Sequence, residues 1–400
     1  MVTSTEAPHI DLMDGRFYAH DPFPAYAWMR HHAPAYHDEA NDIWGLSRYQ
    51  DVRAAGQDPQ TFSNAGGTRP DTPLPYLIDM DAPEHRKRRR LVSAGFTPQA
   101  VRAREARIAA VCDDILDAVC EQGSCDLVSD VATPLPLVMI ADMLGFESAD
   151  WSKLLHWSDT MLMSQGATDP AAFEKAAAAF TEWDSYIRAR IDRRRRERSA
   201  DDLLGVLVQG EVDGERLDDT TLVYESLLLL IAGDETSRHV ISGGMEALLR
   251  RPDQLEAVRD DRALLPAAVE EMLRWVSPIK DMNRRTTRDV EMHGVTIPAG
   301  KNVLLLYPSA NRDETVFDDP EAFDIRRAPN DHVAFGFGAH LCLGHRLARA
   351  EITAMVDRVL HRLPAIRLAD DGPHPLRESN FIVGFESLPV AFTPSARRAG

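Results

Sequence analysis

One cysteine stands where residue types and spacing could do chemistry. Residues 335–351 read F-G-F-G-A-H-L-C-L-G-H-R-L-A-R-A-E, so Cys342 follows Gly336 and Gly338, precedes Gly344 and opens onto a helix-like segment. A thiolate is kept reactive by amide donors and by the positive end of a helix. A glycine-rich loop and a helix beginning near Leu343 offer both. Two chemistries fit. A nucleophile would need a histidine base, and His340 and His345 are close in sequence. A metal ligand, to haem in particular, would need a flat apolar bed and backbone donors to the sulfur. A buried inert thiol would leave the three glycines without a reason. Cys112 and Cys120 lie in an apolar helical pattern and read as small core hydrophobes. With Cys125 they form no C-x-x-C, so neither a disulfide framework nor a zinc site is expected.

Three further groups break local rules. Ala232-Gly233-Asp234-Glu235-Thr236 follows the apolar run Leu227–Ile231. A glycine, two acids and a threonine are costly in a buried helix. A threonine hydroxyl both donates and accepts, and a carboxylate can carry protons from bulk water. Glu271 and Arg274, three apart, share a helix face, where an exposed pair would be worth under about 1 kcal/mol. His85 and Arg89, four apart, also share a face, within the basic run Arg86-Lys87-Arg88-Arg89-Arg90.

The elements that must position these groups are mainly helical. Residues 102–121, 171–198, 219–249, 264–276 and 343–362 carry helical apolar spacing. Strand signals are fewer: 42–47, the alternating stretch 289–306 with turns at His293-Gly294 and Pro298-Ala299-Gly300, and 381–392, which resembles a final hairpin. No G-x-G-x-x-G opens a helix, so a dinucleotide fold is not expected. The net charge of −18 argues against nucleic acid and anionic membrane as general partners. The second basic run, Arg193–Arg196 with Arg198, reads as a solvated helix face. The N-terminus has neither a basic start nor an apolar core, and the longest apolar run, 227–232, is far short of the about 20 residues of a membrane span. A soluble, cytoplasmic protein is expected.

Phe335-x-x-Gly338-x-x-x-Cys342-x-Gly344 resembles the haem-binding signature of the cytochrome P-450 superfamily, and the three groups above resemble further motifs of that family in order and separation. The resemblance covers essentially the whole chain. It implies one domain over 1–400 with the triangular P-450 fold, mainly α with a minor β lobe at about 30–80, 285–310 and 380–393. It implies haem b with Cys342 as the axial thiolate and metal ligand, and Phe335 and Gly344 beside it. His85, Arg89, Arg284 (with Arg285 as its rival) and His340 would grip the propionates. Glu235 and Thr236 would relay protons, with Gly233 leaving room for dioxygen. Glu271 and Arg274, joined by Arg327, would be structural. The implied reaction is reductive activation of dioxygen and hydroxylation of an unactivated C–H bond. Electrons would come from a ferredoxin and an NAD(P)H-dependent ferredoxin reductase, with Lys87 and Arg88 in a docking patch near the thiolate.

Within that superfamily the chain is most similar to the actinobacterial sterol side-chain hydroxylases. Three stretches carry this: Ser63–Asp71, Gly233–His239 with Ser242-Gly243-Gly244, and Arg377–Glu386 with Asn380-Phe381. They imply terminal-carbon oxidation of cholesterol or cholest-4-en-3-one, on to the acid. The implied pocket is the 63–80 loop, Ile231, Ala232, Gly233, Val276, Ile279, Met282, Phe381 and Ile382. Fatty acids, terpenoids and macrolides are the alternative substrates. A peroxygenase would replace the acid–alcohol pair, and a gas or ligand sensor without turnover would not need it.

Overall fold

In the computed structural model, the described residues are 8–167 and 169–398. The helix Asp219–Leu249 runs through the middle, capped where Asp218 accepts from the Thr221 amide. It is buried over most of its length, so it cannot be amphipathic. Its glycines set how closely neighbours approach. A Cβ on Gly243 or Gly244 would sit 2.9 Å from Val276 or 2.5 Å from Met272, which lets the helix Leu265–Val276 lie flush against it. On another face Gly233 meets Ile140 of the helix Pro134–Leu144 in the same way, at 2.6 Å. The helices Glu105–Val119 and His345–Arg362 complete the main core. Trp151–Leu162 and Pro170–Glu197 pack as a pair over it.

The main sheet has five strands in the order Ala35–Asp38, Ile43–Leu46, Asn302–Leu306, Asp281–Thr286, Phe62–Ser63. Only the pairing of Ile43–Leu46 with Asn302–Leu306 is parallel. The strands Val290–Met292 and Val295–Ile297 form a separate hairpin. His293 and Gly294 turn it with φ of 51° and 78°, the geometry that suits right-twisted strands.

The expected elements occur with four corrections. Residues 102–121 are broken at Ala103–Arg104 into Pro98–Arg102 and Glu105–Val119. The β lobe begins at Asp281, not 285. Residues 381–392 do not form a hairpin. Pro389–Ala391 instead pairs with Ser124–Asp126 and Arg367–Leu368, and the chain reversal lies upstream, where the Arg377 amide donates to Gly384 (2.9 Å). The partner strand at 124–126 is too short to show in a period-2 pattern. Finally, Leu127–Leu144 is long and apolar enough to cross a membrane, but 78% of it is buried inside the fold. Three of the four arginines at 193–196 are tied to carboxylates: Arg193 and Arg194 to Glu197, Arg194 also to Asp202, and Arg195 to Asp219; Arg196 is exposed.

Glu271 and Arg274 are fully buried, unlike a surface pair. Arg274 makes a fork to both oxygens of Glu271 (2.7 and 2.8 Å), and its remaining hydrogens reach the carbonyls of Asn311, Pro320 and Ala322. Arg327 Nε adds 3.1 Å to Glu271, and Asn330 donates to it as well. This cluster ties helix 265–276 to the loop that leads to Cys342. Arg274→Ala would take the fork away from a buried carboxylate, leaving it Arg327, Asn330 and the Asp324 amide. It is expected to cost about 3–5 kcal/mol, read as a lower midpoint in urea unfolding of the haem-loaded protein.

Candidate active site

Cys342 lies in the wall of a cavity of about 1020 Å³. Its amide donates to the Phe335 carbonyl (2.9 Å), which closes the loop. Gly336 and Gly338 have φ of 68° and 70°, a region that glycine enters freely. A Cβ on Gly338 would also lie 2.2 Å from the Gly56 carbonyl oxygen. The amides of Gly344 and His345, at the start of helix His345–Arg362, face the thiol. Burial pushes the thiol up; these amides and the charges of Arg89 and Arg349 pull the other way. The His345 ring bonds the Cys342 carbonyl through Nδ1 (2.8 Å), and His340 stacks on His85 at 3.9 Å. Neither is placed as a base for the sulfur, so the nucleophile reading loses its partner.

The surroundings fit haem. His85 Nε2 and His340 Nδ1 are buried with no hydrogen-bond partner. Arg284, buried, donates to the Asn283 carbonyl (2.7 Å), and Arg89 to the Leu341 carbonyl (2.6 Å). Four donors without a carboxylate in their hydrogen bonds suit a dianionic group. Burial lowers His85 to about 4, which leaves it neutral at pH 7. Strand alternation settles the rival arginines: Arg284 lines the cavity, while Arg285 turns outward to Asp71 at 3.2 Å. Phe335 and Gly344 line the cavity beside Cys342, and a Cβ on Gly344 would meet nothing nearer than Phe96 at 3.9 Å. That glycine faces open space.

The chain matches the Cytochrome P450 family over residues 40–391. The chain belongs to the cytochrome P450 family. It is 52% identical over 397 residues to the steroid C26-monooxygenase of Mycobacterium tuberculosis, covering 98% of this chain and 99% of that one. It is 36% identical to the methyl-branched lipid omega-hydroxylase of the same species over 399 residues, covering 96% and 92%. The crystal structure of CYP109E1 from Bacillus megaterium in complex with testosterone superposes with a TM-score of 0.87 at 33% identity, covering 93% and 98%. As a cytochrome P450, the protein carries a haem–thiolate and is a monooxygenase that acts on a hydrophobic substrate with dioxygen.

The acid and the alcohol of the helical motif point differently. Thr236 lines the cavity and donates to the Ala232 carbonyl (3.1 Å). Glu235 does not line it. Its carboxylate is fully buried, gripped by Arg238 (2.6 and 2.7 Å) and Arg377 (3.2 Å), with His239 at 3.4 Å. Asp159 of helix Trp151–Leu162 shares both arginines, at 2.6 and 2.8 Å. The arginines hold Glu235 well below the usual carboxylate range, whereas burial without any partner pushes Asp234 up. The space beside Gly233 is filled by Ile140, so this glycine serves helix packing as well as the cavity wall.

Ile231, Ala232, Ile279, Met282, Phe381 and Ile382 line the cavity as expected. Val276 does not: as the last residue of its helix it faces Gly243 and packs there. The basic patch also shrinks. Arg88 turns inward to the buried Glu225 (3.0 Å), and Lys87 pairs with Asp213 (2.5 Å), which leaves Arg86 and Arg90 exposed. Sequence reasoning missed Met13 and Asp14 near the N-terminus, Met161 and Phe173 of the covering helices, and Glu351. The first four carry no local signal. Glu351 did, because it stands four residues after Leu347 on the inward face of its helix.

Glu351 is fully buried at the cavity with Ser237 as its partner, and burial raises it to about 8. A carboxyl raised in the folded state contributes most below its unfolded value, near 4.5, and loses that contribution as pH rises towards 8. Thermal unfolding of the haem-loaded protein should therefore show Tm falling from pH 5 to pH 8, by on the order of a few kcal/mol of stability. Glu351→Gln should flatten that part of the profile.

Proposed function

We propose that this cytochrome P450 hydroxylates the terminal side-chain carbon of a sterol such as cholesterol or cholest-4-en-3-one, and carries it on to the acid. The observation that supports this most is the lining of the cavity. Apolar groups such as Ile231, Val240, Ile279, Met282 and Phe381 share the cavity with Thr236 and Cys342, and Arg69, Asn41, Asn380 and Gln165 are among its few polar groups. A long apolar molecule with one polar end suits such a lining. The relatives add to this, since one is named for steroid C26 oxidation and another for omega-hydroxylation of a methyl-branched lipid.

The site residues take the following roles in this reading. Cys342 would hold the haem iron through its sulfur, which the Gly344 and His345 amides face. His85, Arg89, Arg284 and His340 would hold the propionates. Haem so held supplies reductive activation of dioxygen. Thr236 holds and passes a proton inside the cavity, and Glu235, ionised at rest between its arginines, takes one up transiently from the side where Asp159 is about a third exposed. Glu271, Arg274 and Arg327 keep the cysteine loop in place. The chain works as one domain, in the cytoplasm, with electrons from a ferredoxin and its NAD(P)H-dependent reductase. The burial of Leu127–Leu144 supports a cytoplasmic setting.

Titration of the ferric protein with cholest-4-en-3-one should give a saturable low-spin to high-spin shift at low micromolar ligand, about 8 kcal/mol of binding. A shift with a methyl-branched fatty acid and none with the steroid would move the substrate to the lipid class. Cys342→Ser should lose the thiolate-type ferrous–CO spectrum. Thr236→Ala should keep consuming NADH while product formation falls by about 100-fold; coupling equal to that of the parent would exclude the relay role.

A further inference from the structure

One charged network packs behind Phe335 and takes no part in the roles above. Arg349, on helix His345–Arg362, lies with its guanidinium 4.5 Å from the Phe335 ring centroid. Its Nε and Nη2 form a fork to both oxygens of Glu270 (2.6 and 2.8 Å), and its Nη1 donates to the His345 carbonyl (3.1 Å). His332 Nε2 stands 3.1 Å from the same carboxylate. The Phe335 carbonyl in turn accepts the Cys342 amide. Arg349 is thus linked to the cysteine loop at both ends, through Phe335 before the thiol and His345 after it.

Glu270 and Arg349 are each about one-third exposed, and such a pair adds little to stability. Its geometry suits a different task. The positive charge of Arg349 bears on the sulfur, as does that of Arg89. Arg89 donates to the Leu341 carbonyl, and in the haem-loaded protein a propionate would share its charge. Arg349 is matched by Glu270 in a planar fork that also fixes it over the ring. We propose that Glu270 is a positioning residue that sets the reduction equilibrium of the thiolate-bound haem, by neutralising Arg349 and holding it flat on Phe335.

Reduction adds one electron to the haem, so uncompensated positive charge nearby favours the reduced form. Glu270→Gln should shift the ferric–ferrous equilibrium towards ferrous by about threefold, about 28 mV for a one-electron couple. Arg349→Gln should shift it the other way, and the double variant should return close to the parent. Potentials are read by spectroelectrochemistry on haem-loaded protein whose ferrous–CO spectrum is thiolate-type, so loss of the axial ligand is not mistaken for a charge effect. If Arg349→Gln does not take up haem, Glu270→Lys replaces it and should move the potential further than Glu270→Gln in the same direction. Single variants that shift the same way, or not at all, or a Glu270→Lys shift smaller than that of Glu270→Gln, would overturn the proposal.

Discussion

A negatively charged sulfur in a buried, largely apolar cavity is expensive, and much of the fold offsets that cost. Burial alone drives the Cys342 thiol towards its neutral form. The opposing groups are all fixed by tertiary structure: two amides at a helix start, Arg89 from the helix Glu84–Ser93, and Arg349 about one turn into the helix His345–Arg362. The glycines before the thiol let the loop press onto Gly56 and Tyr307. The Glu271–Arg274–Arg327 cluster anchors the chain entering that loop. A polar group that must stay charged inside a protein needs such a set of partners.

The same economy governs the helix on the other side of the cavity. Its acids would be ruinous if both were ionised and unpaired. Glu235 stays charged because two arginines from different segments reach it, while Asp234, the residue before it, is driven towards its neutral form by burial. Adjacent residues are thus pushed in opposite directions by what lies on each face of the helix. Asp159 links this arrangement to the helix pair that covers the cavity.

Much of this was legible in the sequence because local rules were broken in ways that only a site explains. Glycines crowd a lone cysteine, acids interrupt an apolar run, and a cation and anion recur at helical spacing. The long helix fell at the residues its periodicity indicated, 219–249, because its cap and its apolar run agree. Other features could not be read. The strand Ser124–Asp126 is formed by its partner, not by its own pattern. The side chains of Arg88 and Lys87 look like surface cations until Glu225 and Asp213 come within reach. Val276 belongs to the right segment but the wrong face, since one residue along a helix turns a side chain by about 100°.

The sequence by itself determined the chemistry. The thiol, its glycine frame, the acid–threonine pair and the paired Glu271 and Arg274 are encoded by residue type and short spacing, which local geometry turns directly into shared faces and turns. Tertiary structure alone decided the charge state and the shape. Whether a carboxyl is ionised depends on arginines more than 100 residues away, as Arg377 is from Glu235. The cavity is enclosed by segments that meet only on folding: residues 11–16, 161–167, 173–180 and 380–382 among them. Desolvation and long-range ion pairing have no local signature, so they become visible only when the chain has closed on itself.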